Sequence, residues 1–256
     1  MLAACLTHSA SKRYRHVANA MAEGFRQCGH EPVMVPIQGK FYPADIAVSY
    51  GWKYNSVLKR YPCFAYFDLG YWHRESFYRV ALNGWSPQIK RGMPDTRFNR
   101  LGLTIRPWRT SGEEIIVAGS TSKACREHGL RFQEWETKMV RRLQGLGKRV
   151  VYRPKPNDRL ASPIKGAELD RRPISEALEN CHAWVTHHSN SAIDALLAGV
   201  PVHCETGAAS HFSNPLDDIG ALKEGREQFL YDVAWLQWTL EEMRSGEAWR
   251  HLRLTL

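Results

Sequence analysis

The stretch WVTHHSNSAIDALLAGVPVHCE, residues 184–205, decides how the rest of the chain is read. Trp184 and Val185 sit in a short apolar run of strand type. Past Ser189, the apolar residues Ile193, Leu196 and Leu197 recur at helical spacing. Ser189 is placed as the helix N-cap, because its hydroxyl can accept from an otherwise unsatisfied backbone N–H. Gly199 fits the left-handed residue that closes such a helix, and Pro201 stops it from continuing. A strand that turns directly into a helix puts the helix N-terminus at the carboxyl edge of a sheet. Free N–H groups and the helix dipole favour an anion there, and Ser189 and Ser191 add hydroxyl donors. His187 and His188 stand at the junction, where strand alternation would turn one outward and the other into the domain. From local physics alone, a capped helix with two incidental histidines describes the same residues equally well.

Working outward, the chain alternates strands and helices. LAACLTH is strand-like, and residues 15–29 carry Val17, Met21 and Phe25 at four-residue spacing with Gly29 as a stop. EPVMVPI, ADIAVSYG and YPCFAYFDLG follow as strands. Residues 71–109 read as an irregular loop rich in aromatics, arginine, glycine and proline. EEIIVAGS opens a second block. It continues with a helix near residues 131–147, striped by Phe132, Trp135, Met139 and Leu143, then the strand RVVYRPKP, the short helix PISEALENC and residues 184–205. The C-terminus reads as a long helix interrupted near Gly246. The expected fold class is α/β, with two Rossmann-like parallel-sheet domains facing a cleft. Residues 1–110 form the N-terminal domain, with the helix 236–256 crossing back to it, and residues 111–235 form the C-terminal domain.

Bulk composition narrows the function. The chain has 256 residues and a formal net charge of +9, which suits polyanionic partners such as nucleic acid or nucleotide-linked substrates. No apolar run approaches a membrane-spanning length, and no basic segment precedes the apolar start. A cytoplasmic protein is expected. The six cysteines lack metal-ligand spacing and read as buried free thiols. The adjacent His187 and His188 lack the i, i+4 spacing of a helical metal pair, so no metal is expected. Ser9, Lys12 and Arg13 follow the first strand, in a turn suited to acceptor or donor phosphate. Tyr71, Trp72, Arg74 and Arg79 interleave aromatic rings with arginines, a pattern suited to stacking on bases or sugars, or to a loop packed on the core.

Residues 184–205 resemble the nucleotide-sugar-binding half of GT-B-type glycosyltransferases, especially bacterial capsule-type Kdo transferases, bacterial sialyltransferases and their small phage relatives. The resemblance spans Glu114 to Trp249. It matches Ser189 and Ser191 to the family's serine pair and sets Lys155-Pro156 where the family has His-Pro. It implies a nucleotide-sugar co-substrate, UDP-linked, with no other cofactor. Gly119, Ser120, Thr121, Arg153, Lys155, His187, His188, Ser189, Asn190, Ser191 and Glu205 are the implied donor-binding residues. Asp68, in the Asp-x-Gly of YFDLG, is the implied catalytic base. Ser9, Lys12, Arg13, Tyr71, Trp72, Arg74 and Arg79 are the candidate acceptor residues. The acceptor is a glycan or a hydroxymethylated base in DNA, as in phage-type DNA modification. The alternative is a non-catalytic nucleotide- or nucleic-acid-binding module on the same fold.

Overall fold

The structure, a computed structural model, describes residues 1–156 and 158–255. The chain begins β1 (Leu2–Thr7), α1 (Lys12–Gln27), β2 (Glu31–Pro36), β3 (Ile46–Tyr50), α2 (Asn55–Leu58), β4 (Phe64–Leu69) and β5 (Phe77–Leu82). It continues α3 (Thr96–Arg100), β6 (Glu114–Ala118), α4 (Ser122–Glu127), α5 (Glu134–Leu143), β7 (Arg149–Arg153) and β8 (Glu168–Leu169). Then come α6 (Ile174–Glu179), β9 (Cys181–Thr186), α7 (Ser191–Leu197), β10 (Val202–Cys204) and α8 (Arg226–Ala234). It closes with β11 (Gln237–Thr239), α9 (Leu240–Arg244) and α10 (Glu247–Leu252).

Two compact units result, Met1–Pro94 with Asp232–Leu256, and Asp95–Tyr231. The divisions fall at residues 94/95 and 231/232, where the sequence reading puts them after 110 and 235. Residues 95–110 are held by the second unit. The Phe98 ring meets Tyr231 at 5.3 Å. The Arg106 N–H donates to the Leu197 carbonyl at 3.0 Å, and the Arg109 N–H to that of Gly199 at 2.7 Å.

The first unit is a six-stranded sheet in the order β11-β5-β4-β3-β1-β2. β2, β1, β3 and β4 run parallel, while β5 is antiparallel to both β4 and β11. Ala3 to Leu6 of β1 are fully buried, as a parallel strand covered on both faces requires. β5 lies inside the stretch expected to be irregular, and β11 inside the stretch expected to be helical. Neither has apolar alternation of its own. β5 carries a buried arginine and β11 is three residues long, so pairing with neighbouring strands made both.

The C-terminal segment belongs to this first unit. Trp249 packs edge-on against Phe25 of α1 at 4.8 Å. α1 meets α9 at Gly24, where an added Cβ would lie 2.0 Å from the Met243 carbonyl oxygen. Backbone lies against backbone at that point, so only glycine fits.

The second unit is an all-parallel five-stranded sheet in the order β10-β9-β6-β7-β8. On one face, Ile115 and Val117 of β6 and Ala183 and Val185 of β9 pack with Trp135, Met139, Val140 and Leu143 of α5. All six cysteines are free, and Cys5, Cys125, Cys181 and Cys204 are buried. Among the described residues no helix is long and apolar enough to cross a membrane. Gly24→Ala is expected to lower unfolding stability by about 1–3 kcal/mol, the usual effect of overpacking a close contact. A thermal or urea melt of the variant beside the parent checks this.

Candidate functional site

Counted along the chain, the second sheet's strands lie in the order 3-2-1-4-5, and the order reverses between β6 and β9. In open α/β sheets the loops at such a reversal leave toward opposite faces, and the crevice beyond their carboxyl ends takes the ligand. Ala118 at the end of β6 pairs in register with Thr186 at the end of β9. The Thr186 hydroxyl also donates to the Ala118 carbonyl at 3.0 Å. This seam brings Gly119, Ser120 and Thr121 beside His187, His188 and Ser189.

Three donors converge on one oxygen there. The Ser189 Oγ accepts from the Lys155 ammonium, from the Ser191 hydroxyl at 2.8 Å and from the Ser191 N–H at 3.3 Å. Ser191 Oγ in turn accepts from the Trp184 indole N–H at 3.1 Å. Lys155 follows β7 and the serines follow β9, so the cluster spans two loops. The helix begins one residue later than the sequence suggests. Asn190, not Ser189, is the N-cap of α7, and its side chain makes no capping bond. α7 has seven residues, so side chains rather than a long helix dipole supply the positive end of this site. Gly199 closes α7 at φ 82°.

His187 and His188 do not diverge as strand alternation would have them. β9 ends at Thr186, so the rule stops applying, and the two Nδ1 atoms lie 2.9 Å apart. Trp135 of α5 stands edge-on to His187 at 5.7 Å. The Trp135 indole N–H donates to Glu205 Oε1 at 3.2 Å, which fixes that carboxylate at the end of β10.

Arg153 is a correction. It is buried, and its guanidinium pairs with Asp170 at 3.4 Å and donates to the Arg172 carbonyl. It belongs to an internal network with Arg172 and Glu114. Thr121 caps α4, its hydroxyl accepting from the Ala124 N–H at 3.2 Å. The Ser120 N–H donates to Glu136 Oε1 at 2.7 Å. Glu136 is 1% exposed, and its second carboxyl oxygen has no hydrogen-bond partner among the described residues. Burial holds its pKa above the ordinary glutamate value of 4.5, which the Ser120 N–H only partly opposes. Glu136 escaped the sequence reading because it sits in an amphipathic helix, where a glutamate normally reads as surface, and Trp135 reads there only as part of the apolar stripe.

In the first unit, Asp68 lies near the end of β4 with its side chain 34% exposed. It accepts from the Tyr66 hydroxyl at 2.5 Å and from the Leu69 N–H at 2.8 Å, and Arg79 lies 3.7 Å away. Tyr71, Trp72 and Arg79 are buried, so of the two readings of this stretch the structure has the packed one and not a stacking surface. The Tyr71 and Trp72 N–H groups donate to the Gln237 side-chain carbonyl at 2.8 and 3.1 Å. Arg79 packs against the Tyr66 and Trp85 rings at 5.1 and 5.2 Å. Arg74 is exposed, as are Ser9, Lys12 and Arg13 at the start of α1.

No protein-family model matches the chain, and no curated protein matches it in sequence. Among solved structures it is similar to the β-Kdo 2,7 transferase of Thermosulfurimonas dismutans KpsC, with a TM-score of 0.55 and 13% identity over 98% of this chain and 99% of that one. It is also similar to the β-Kdo 2,4 transferase of KpsC from the same organism, with a TM-score of 0.54 and 11% identity over 93% and 92%. At such identities the likeness is one of fold. The chain has the two-Rossmann-domain GT-B fold that residues 184–205 suggested.

The raised pKa of Glu136 gives a pH signature. Folded Glu136 resists ionisation, so its part of the stability is present below pH 4.5 and is lost as pH rises through the higher folded value. Glu136→Gln keeps an acceptor for Ser120 and cannot ionise. The variant should match the parent at pH 4 and exceed it in stability at pH 8, as measured by denaturant melts at both pH values.

Proposed function

We propose that the chain is a glycosyltransferase that moves a sugar from a nucleotide-activated donor, UDP-linked on the sequence reading, to a hydroxyl of a glycan. The observation that carries this reading is the Lys155–Ser189–Ser191 cluster at the reversal point of a Rossmann-ordered sheet. The fold shared with two Kdo transferases supports it by analogy. Lys155 is the charge that would meet a donor phosphate, and the serine hydroxyls would hydrogen-bond its oxygens. Glu205, fixed by Trp135, suits the hydroxyls of a ribose or sugar.

In the reaction, the acceptor oxygen attacks the anomeric carbon and the bond from that carbon to the donor phosphate oxygen breaks. The electron pair leaves with the nucleotide, and Lys155 stabilises the added negative charge. Asp68 is proposed to take the acceptor's proton, with Tyr66 and the Leu69 N–H holding the carboxylate in one orientation. A glycan is favoured over DNA because burial keeps Tyr71, Trp72 and Arg79 from stacking on bases.

A thermal-shift panel of UDP-, GDP- and CMP-linked sugars tests the reading. A specific donor at a hundred times its Kd adds about 2.7 kcal/mol of apparent stability. Lys155→Ala should weaken that donor's binding roughly tenfold to a hundredfold, the effect of losing a charged hydrogen bond. Asp68→Asn should abolish turnover and leave donor affinity intact. A donor that binds the parent and Lys155→Ala equally, or turnover that survives Asp68→Asn, overturns these assignments.

A further inference from the structure

The histidines after β9 have a third neighbour that arrives from another loop. His128 is the C-cap residue of α4. Its ring stacks on His188 with centroids 4.4 Å apart at 23°, and meets His187 edge-on at 5.1 Å. One ligand nitrogen from each of the three rings lies within 4.8 Å of those from the other two. All three residues are half-buried.

We propose that His128, His187 and His188 form a binding site for a divalent first-row transition metal ion, zinc. Two imidazole nitrogens on one zinc, each bonded at about 2.0–2.1 Å, lie roughly 2.9–3.4 Å apart for bond angles between right-angled and tetrahedral. The His187 and His188 Nδ1 atoms lie 2.9 Å apart, sharing a proton that the ion would displace. His128 now stacks on His188, so to share the ion its ring would turn out of that stack and bring one nitrogen, now within 4.8 Å of the other two, into line. Metal binding needs neutral imidazoles with their lone pairs available. Three nitrogen ligands from one side leave a fourth tetrahedral position for an oxygen. The expectation of no metal rests on the adjacent pair alone and leaves out His128, which no spacing rule connects to it.

The test uses the full chain, free of any histidine tag and stripped with a chelator. Zinc chloride is titrated by calorimetry, and cobalt chloride is added separately for its visible absorption. One zinc per chain is expected, with a rise in melting temperature and cobalt bands of the kind nitrogen ligands give. His128→Ala and His188→Asn should each weaken zinc on the order of 10–100-fold or more, since losing only an outer partner of a ligand costs that much. His16→Ala, exposed on α1, should bind as the parent does. Melting curves without metal establish that each variant folds, and the second variant decides if the first does not. Absence of stoichiometric zinc binding, or equal affinity in the parent and the folded variants, overturns the proposal. No sugar donor enters the experiment, so its failure would leave the transferase reading standing.

Discussion

The hydrogen bond from the Thr186 hydroxyl to the Ala118 carbonyl marks the constraint on which the second unit depends. β6 and β9 lie side by side, yet the chain leaves them toward opposite faces of the sheet. The strands themselves are saturated with hydrogen bonds and covered with apolar side chains. Only the loops beyond them are free to carry chemistry. Lys155, Ser189, Ser191 and Glu205 are accordingly only a few positions past a strand end. Lys155, Ser189 and Glu205 owe their nearness to the register of β7, β9 and β10, not to closeness in sequence.

The same crowding has an electrostatic cost. Glu136 is buried behind the turn after β6, with one oxygen bound to the Ser120 N–H and the other without a hydrogen-bond partner among the described residues. An apolar core would tolerate a neutral acid there far better than an ion. The three histidines also stand so close that several charges at once would repel strongly. A site built this way holds its shape best when the glutamate and the imidazoles are neutral. That state also leaves Lys155 as the cation next to Ser189.

The first unit solves a different problem. Its strands β5 and β11 carry polar residues into a buried sheet, and those residues lock the loop after β4. Gln237 accepts from two backbone N–H groups that would otherwise be buried without partners. Arg79 lies against two aromatic rings and beside Asp68. These buried aromatic and arginine residues are thus scaffolding for the strand end that presents Asp68.

Much of this was legible in the chain itself. Apolar periodicity marked β1, α1, β6, β9 and α7, because those elements bury a regular face and local spacing records it. Gly199 and Pro201 marked the end of α7 through backbone conformation that needs no tertiary partner. The resemblance over Glu114 to Trp249 pointed to the fold and singled out Lys155, Ser189 and Ser191, which the structure brings together. Other features could not be read locally. β5 and β11 exist because neighbouring strands pair with them. Arg153 turned inward because Asp170, 17 residues later, waits beside it. Glu136 and His128 joined the site because helix packing and loop return brought them there. The sequence determined which segments could form strands and helices, since that depends on side chains a few residues apart. The tertiary structure decided which polar groups meet, since that depends on strand order and register, which no short stretch of sequence contains.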